Sequence, residues 1–573
     1  MTTSATATDW RTRARNLAIQ GEAWIEGRYA PAASGATFEC LSPIDGRLIA
    51  QVASTDAVDV DRAVAAARRA FEDGRWARQP PASRKKVLLK FAELLLLNRD
   101  ELALLETLDM GKPISDSLAV DIPATARCIA WYAEAVDKIY DEIAPTSPDA
   151  LAMITREPVG VVAAIVPWNF PLIMAAWKIG PALAAGNSLI LKPSEKSPLS
   201  AIRIGALAAE AGIPEGVFSV LPGFGQVTGQ ALARHMDVDC IGFTGSTRTG
   251  KLMLEYSAQS NMKRVWLECG GKSPNIILAD CPDLDRAAEA AASAIFFNQG
   301  EMCSAGSRLI VEEPVREAVV EKVALAGRRL VPGDPLDPGT RLGAIVDQTQ
   351  LSTVLGYIDS GREEGARLRA GGNRTRAESG GYYVEPTVFD QVRPEMKIAR
   401  EEIFGPVLAT IGVKNAEEAV AVGNSGIYGL AAAVWTRDIS RAPCRARAAR
   451  RCRLRQLLRR GRHHGALRRV QAVGHGPRQV AACLRQVHRA QDDLDRPLDV
   501  SCASEPDVLR PISLRADSGQ RTVTSTRRAS SSDPPPVVTT GFSMVMRASS
   551  IPPATSASCT EPARFLASSS LAA

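Results

Sequence analysis

"PVGVVAAIVPW" (158–168) and "NSLILKPS" (187–194) are short runs rich in Val, Ile and Leu, bounded by Pro, Gly, Asn and Ser. Three more runs of the same kind follow: "GVFSVLPG" (216–223), "CIGFTGS" (240–246) and "KSPNIILAD" (272–280). Between them lie stretches with helical periodicity, such as "SPLSAIRIGALAAEAG" (197–212) and "GQVTGQALARHM" (225–236). Strand and helix alternating at this spacing predict βαβ units and a doubly wound parallel sheet, so the fold class is α/β.

Outward from this block, residues 55 to 140 have helical periodicity, with Ser83 read as a cap and Gly111 as a stop. Downstream, a second α/β stretch runs from about 268 to 440. Its helices lie near "DLDRAAEAAASAIFFNQG" (283–300) and "PVREAVVEKVALAGRRL" (314–330), its strands near "SRLIVEE" (307–313) and "YVEPTVFD" (383–390). The texture then changes: no lysine follows Lys414, no tyrosine Tyr428 and no tryptophan Trp435. The last 70 or so residues are rich in Ser, Pro and Thr with little periodicity and are expected to be disordered.

At 573 residues, 45% hydrophobic and 23% charged, the chain is long enough for two or three domains with cores of their own. The greasiest stretch, "FAELLLLNRDELALL" (91–105), is interrupted by Glu93, Arg99, Asp100 and Glu101 and reads as an amphipathic helix, not a membrane span. The N-terminus lacks an apolar core of the secretory kind, so a cytoplasmic protein is expected. Eleven cysteines without a CxxC pair argue against a disulfide framework and against a metal site. The formal net charge of +6 is uneven. From Ala442 onward there are about 22 arginines, no lysine and about nine acids, so the body is acidic and only the tail is basic.

Several stretches can carry chemistry. "VLPGFGQVTGQAL" (220–232) sets Gly223, Gly225 and Gly229 between strand and helix, which serves a phosphate loop or a plain glycine turn equally well. "GFTGSTRTG" (242–250) runs from a strand into a Gly-Ser-Thr turn that opens a helix, where backbone N–H groups and the Ser246 hydroxyl can hold a phosphate. "LILKPSE" (189–195) leaves a strand through Lys192 and Glu195, the end at which open α/β sheets bind ligands; an ordinary strand exit looks the same. "VWLECGGKSPN" (265–275) places Glu268 before a glycine pair, where backbone can approach closely. "FFNQGEMCSAGSR" (296–308) places Cys303 among small residues. A nucleophilic cysteine needs access, deprotonation and stabilisation of its adduct; alone, Cys303 reads as a buried inert thiol and Glu268 as a surface acid.

Taken in order, "PWNFP", "KPSE", "FTGST", "LECGGKSPN", "NQGEMC" and "EEIFGPV" resemble the NAD(P)-dependent aldehyde dehydrogenase superfamily over about residues 20 to 441. "LALLETLDMGKPI", "ARCIAWYAEAVDKIY" and the Cys303 segment resemble its γ-glutamyl-γ-aminobutyraldehyde dehydrogenase branch more than the retinal or betaine aldehyde enzymes. The resemblance implies a Rossmann-like cofactor domain (21–137 and 157–267), a bridging and oligomerisation segment (138–156) and a catalytic domain (268–441), after an N-terminal segment (1–20). It implies Cys303 as nucleophile, Asn169 as oxyanion donor with the Cys303 N–H, Glu268 as general base and Lys178 as proton relay. For the cofactor, NAD with NADP as an option, it implies Lys192 and Glu195 at the adenosine ribose and Ser246 at the pyrophosphate. Gly225, Gly229, Phe243, Gly245 and Gly250 would shape the surrounding turns, Glu402 would hold the nicotinamide ribose, and Trp168 and Phe404 would line the cleft. Cys269 departs from the Leu or Ala common at its position. The expected partners are a small-molecule aldehyde and further copies of the chain in a dimer or tetramer, with no membrane; a broader-specificity aldehyde dehydrogenase is the alternative.

The resemblance stops between Arg441 and Pro443. The superfamily there supplies a further catalytic-domain strand, an "FGGxKxSGxGR" segment and an oligomerisation strand, and none is legible in 442–573. Reading one nucleotide further on, with codons chosen freely, every position from Ala442 to Leu498 accepts a residue of a consistent sequence that contains "FGGFKQSGTGR" and ends in a stop across Leu498 and Asp499. Residues 442–573 therefore read as coding sequence out of frame, followed by read-through. The other reading, an arginine-rich arm binding nucleic acid or other polyanions on an inactive chain, lacks interleaved aromatics and a folded reader. Losing a sheet strand is expected to leave unpaired edges and to make the chain as written unstable or prone to aggregate.

Overall fold

The computed structural model describes residues 9–438 and the backbone of Arg455–Gln456. All of these lie in one compact unit, Met1–Arg496. The disorder and the shifted frame expected of 442–573 fall outside the described residues, apart from the Arg455–Gln456 backbone.

The expected alternation forms two seven-stranded sheets. In the first, five parallel strands stand in the order Arg264–Glu268, Cys240–Thr244, Val161–Ile165, Ser188–Lys192, Phe218–Val220. The chain steps outward from Val161–Ile165 through two strands, then returns to its other side. The strand order therefore reverses between Val161–Ile165 and Cys240–Thr244, the place where open α/β sheets form a ligand crevice at their carboxyl ends. An antiparallel pair, Ala23–Ile25 and Arg28–Ala30, extends the far edge.

Both faces of this sheet are covered, as near-continuous apolar strands require. Val162, Ala164, Leu189 and Leu191 join one core with Leu88, Phe91, Leu102, Ile129, Leu172 and Ile202 from the surrounding helices. The alternate residues Val161, Ala163, Ile165, Ile190, Ile241 and Phe243 join another with Val60, Ala63, Val64 and Ala67 of the helix Ala57–Glu72. The period of two along each strand thus sorts its side chains between two helical layers.

The helices differ from expectation in one place. The stretch from Ser83 to Gly111 breaks at Asn98 into Pro81–Leu97 and Arg99–Met110. Ser83 lies inside the first helix, which starts at Pro81; proline suits that position because its missing N–H has no partner there anyway. Gly111 does stop the second helix, with φ +87°, a left-handed conformation that glycine adopts without penalty.

The second sheet runs Arg367–Ala370, Thr387–Asp390, Val407–Val413, Arg308–Glu312, Pro274–Ile277, Ala433–Trp435, Arg455–Gln456, parallel except for its first pair. Backbone pairing of Ala433 with Arg455 and Val434 with Gln456 covers two residues of an edge that would otherwise be open. A separate antiparallel pair, Glu142–Ala144 with Ala152–Ile154, lies within the predicted bridging segment. No helix among the described residues is long and apolar enough to cross a membrane.

Candidate active site

The carboxyl ends of the first sheet bring most of the singled-out residues to one rim. Ile165 is in register with both Lys192 and Phe243, and Thr244 with Glu268. Just beyond this row the chain continues as Trp168 and Asn169, as Ser194 and Glu195, as Gly245 and Ser246, and as Cys269 with the glycine pair.

Cys303 arrives from the second sheet's side. The helix Leu284–Phe296 ends, and Asn298 (φ 51°), Gln299 (φ 55°) and Gly300 (φ 72°) follow in the left-handed region. Two successive non-glycine residues in that region are strained and persist only where their surroundings hold them. Here the surroundings do. Asn298 Nδ2 donates to the Asn169 carbonyl at 3.1 Å and to the Glu301 carbonyl at 3.2 Å, while Gln299 Oε1 accepts from the Gly343 N–H at 3.2 Å. Asn169 Nδ2 donates to the Glu301 carbonyl at 2.8 Å. Glu301 is buried and accepts the Val346 N–H at 3.1 Å. The oxyanion candidate and the nucleophile's loop are thereby stitched into one rigid turn.

Cys303 is half-buried, and its thiol is pushed up to about 12, chiefly by burial and then by the carboxylates of Glu402 and Glu268. It rests as a neutral thiol and needs a base to become a nucleophile. Glu268 is half-buried at the rim and close enough to act electrostatically on both Cys303 and Lys178. Lys178, inside the helix Pro171–Ala184, donates to Thr244 Oγ1 at 2.5 Å. Burial lowers its amine to about 8, against the opposing pull of Glu268. A lysine in that range can carry a proton in or out near neutral pH.

The glycine pair explains how the two halves meet. A Cβ on Gly270 would stand 1.9 Å from Glu402 Oε2, and one on Gly271 would stand 2.5 Å from the Cys303 carbonyl oxygen. Glu402 Oε1 accepts the Gly271 N–H at 2.9 Å, and burial pushes its carboxyl up to about 7. Phe404 takes φ 59° and meets Trp168 edge to face at 5.2 Å, while Gln350 Nε2 donates to the Phe404 carbonyl at 2.8 Å.

Lys192 is buried with its Nζ 3.3 Å from Glu195 Oε2; burial lowers its amine, and Glu195 offsets part of that. Ser246 is the N-cap of the helix Thr247–Ala258, its Oγ accepting the Thr249 N–H at 3.2 Å. The oxygen caps its own helix, and the hydroxyl can still donate to an anion beside the helix's first N–H groups. At Gly225 and Gly229 an added Cβ would meet nothing within 4 Å, so these two face space that the protein leaves open. Gly245 packs on the Phe243 ring and Gly250 on Cys269 Sγ, each too close for a side chain.

Sequence reading missed Asn298, Gln299 and Glu301, although "NQGE" is a polar run buried beside an apolar helix. It also missed Thr244, which gives no signal of its own.

The aldehyde dehydrogenase family profile matches residues 29–453. The NADP/NAD-dependent aldehyde dehydrogenase PuuC of Escherichia coli (strain K12) is 53% identical over 433 residues, 76% of this chain and 87% of that protein. A crystal structure of indole-3-acetaldehyde dehydrogenase in complex with NAD+ is 60% identical with a TM-score of 0.77, covering 78% of this chain and 90% of that one. The γ-glutamyl-γ-aminobutyraldehyde dehydrogenase of Burkholderia cenocepacia J2315 is 59% identical with a TM-score of 0.76 and the same coverage.

Proposed function

The chain belongs to the aldehyde dehydrogenase family, and from that premise we propose that it oxidises an aminoaldehyde of the γ-glutamyl-γ-aminobutyraldehyde kind to the acid with NAD(P). The observation that carries this reading is the turn joining Asn169, Glu301 and Cys303, with Glu268 and Lys178 within electrostatic reach of it.

The rim fits a dinucleotide. Space is open at Gly225 and Gly229, a buried amine is paired with a carboxylate at Lys192 and Glu195, a twelve-residue helix starts behind its cap Ser246, and Trp168 meets Phe404 edge to face. Lys192 and Glu195 would hold the adenosine ribose, the helix start the pyrophosphate, and Glu402 the nicotinamide ribose. When bound, the cofactor supplies the hydride acceptor.

The chain's own residues do the rest. Glu268 draws the proton from the Cys303 thiol, directly or through a water, and Sγ adds to the aldehyde carbon. The oxygen that becomes negative is held by the Asn169 amide and the Cys303 N–H; donors fixed in advance stabilise the charge without reorganising. At the acid oxidation level the acyl group remains on Sγ as a thioester. Glu268 then activates water, which attacks the acyl carbon, releases the acid and restores the thiol. Lys178, hydrogen-bonded to Thr244, moves the proton away. kcat/KM compared across γ-glutamyl-γ-aminobutyraldehyde, simple ω-aminoaldehydes and an alkyl aldehyde tests the substrate class. At least a tenfold preference for the aminoaldehydes is expected, and equal values would support broad specificity instead.

The pair Glu142–Ala144 and Ala152–Ile154 exposes Ile143 (73%) and Met153 (65%), with Leu151 (71%) just before it, which supports 138–156 as the segment that meets another copy. Residues 442–573 are read as out-of-frame coding sequence. Resequencing the codons of Ser440 to Arg445 tests this: one base gained or lost restores the family's C-terminus, and an unchanged reading makes the shift part of the locus, which then encodes a damaged enzyme.

A further inference from the structure

The two helices that deliver Asn169 and follow the Lys192–Glu195 pair begin without caps of their own. Pro171–Ala184 starts behind Phe170, and Leu199–Ala211 behind Pro198; neither residue offers a side-chain acceptor. A helix start leaves N–H groups without intrahelical partners and carries partial positive charge. Both starts are closed instead by one neighbouring helix, Arg99–Met110. Glu106 Oε1 accepts the Leu172 N–H at 2.9 Å and the Ser200 hydroxyl at 3.3 Å. Asp109 Oδ2, three residues further along, accepts the Leu199 N–H at 3.0 Å. Both carboxylates are fully buried, so water does not replace these bonds when they break.

The helix Pro171–Ala184 is held at its other end as well. Arg84 Nε donates to the Ala184 carbonyl at 3.1 Å and Trp76 Nε1 to the Leu183 carbonyl at 2.9 Å. An acid meets its positive end and a guanidinium its negative end, so the helix is fixed along its own axis. The residue between Asn169 and the helix is held too. Lys112, in a buried ion pair with Asp121 at 2.9 Å, places its Nζ 4.2 Å from the centre of the Phe170 ring. Asn169 thus extends from a helix end that has almost no freedom to slide.

We infer that Glu106 is a positioning residue for the oxyanion site: by holding the Leu172 N–H and the Ser200 hydroxyl it sets where Asn169 stands relative to Cys303. Glu106 lies behind the helix and belongs to none of the groups that would meet aldehyde or cofactor. The inference rests on the proposed role of Asn169, so its test needs one readout that depends on turnover and one that does not.

Glu106→Gln keeps the shape and an acceptor oxygen but removes the charge that strengthens these bonds when the buried carboxyl, pushed up to about 7, is ionised. In the full chain, hydrogen exchange of peptides spanning Trp168 to Ile173 and Leu199 to Ser200 is expected to quicken about tenfold, a change confined to those segments. kcat is expected to fall about tenfold while the KM for NAD stays within twofold. In an Asn169→Ala background, the same substitution is expected to change kcat by less than twofold, because two groups acting as one unit are not additive. An equal loss of kcat in both backgrounds, or unaltered exchange at Trp168 to Ile173, overturns the inference. Should Glu106→Gln fail to fold, Ser200→Ala removes one of its two ties without burying an unpaired charge, and the same local exchange and kcat changes are expected at smaller size. If the parent chain turns over no aldehyde, the proposed function fails, and the exchange readout alone still decides whether Glu106 holds this turn.

Discussion

Asn169 Nδ2 donates to the carbonyl of Glu301 at 2.8 Å, tying the loop beyond the switch-point strand to the residue that follows the left-handed turn Asn298–Gly300 and precedes Cys303 by two positions. A side-chain amide has two N–H groups, so one can anchor while the other serves an oxyanion. Asn169→Ala is therefore expected to lower kcat by about 100- to 1000-fold, the usual cost of one oxyanion donor, with little change in the KM for NAD. Steady-state kinetics on a correctly folded variant checks this. A loss below about fivefold would mean that the Cys303 N–H suffices.

The acid–base groups give a pH prediction with a definite sign. Cys303 is held up to about 12, above its ordinary value, so its thiolate fraction keeps rising with pH throughout the neutral and mildly alkaline range. Alkylation by iodoacetamide in the absence of cofactor is expected to accelerate from pH 6 to 10 without levelling off, and Glu268→Gln, which removes one of the charges that hold the thiol up, is expected to quicken it at a given pH. Lys178 is lowered to about 8, so its amine passes from charged to neutral near that pH instead of near the ordinary lysine value. Lys178→Met is expected to remove the inflection near pH 8 from the kcat profile and to lower kcat by about 100-fold.

Glu195, 33% exposed and paired with the buried Lys192, is proposed to recognise the second hydroxyl of the adenosine ribose. Its negative charge opposes a 2′-phosphate, while Lys192 alone would attract one. Glu195→Gln is expected to lower the KM for NADP by about tenfold and to raise that for NAD, reversing part of the preference. Parallel titrations of the two cofactors measure it; unchanged KM values would place the ribose elsewhere.

The glycine pair makes a steric prediction. A Cβ at Gly271 would lie 2.5 Å from the backbone oxygen of Cys303, and backbone cannot swing aside as a side chain can. Gly271→Ala is expected to cost at least 100-fold in kcat, because displacing a reacting atom by about 1 Å has that effect. Gly250→Ala, which meets only Cys269 Sγ, is expected to cost much less. Comparison of the two variants by kinetics and thermal melting separates loss of geometry from loss of stability.

The parallel sheet was legible because its strands are nearly continuous apolar runs ending in Gly, Pro and Ser, and because helical periodicity separates them. Cys303 and Glu268 read alone as an inert thiol and a surface acid and stood out only through the family resemblance, whereas Lys192 and Glu195 drew attention because sheet ends are where ligand-binding groups gather. What stayed hidden depends on contacts far apart in sequence. Glu106 looks like an exposed acid on an amphipathic helix until Leu172 and Ser200 fold against it. Ser83 resembled a helix cap, but the two prolines before it start the helix earlier. The pair Ala23–Ile25 and Arg28–Ala30 gave no warning that it would extend a parallel sheet, since its neighbour Phe218–Val220 lies nearly two hundred residues away.

The most direct test of the catalytic account is formation of NADH from NAD and an aminoaldehyde by the purified chain, compared with Cys303→Ala. The account predicts NADH in step with the carboxylic acid formed, and loss of both in the variant while NAD binding persists. NADH formation that survives in Cys303→Ala, or none from a folded parent chain that binds NAD, would contradict it.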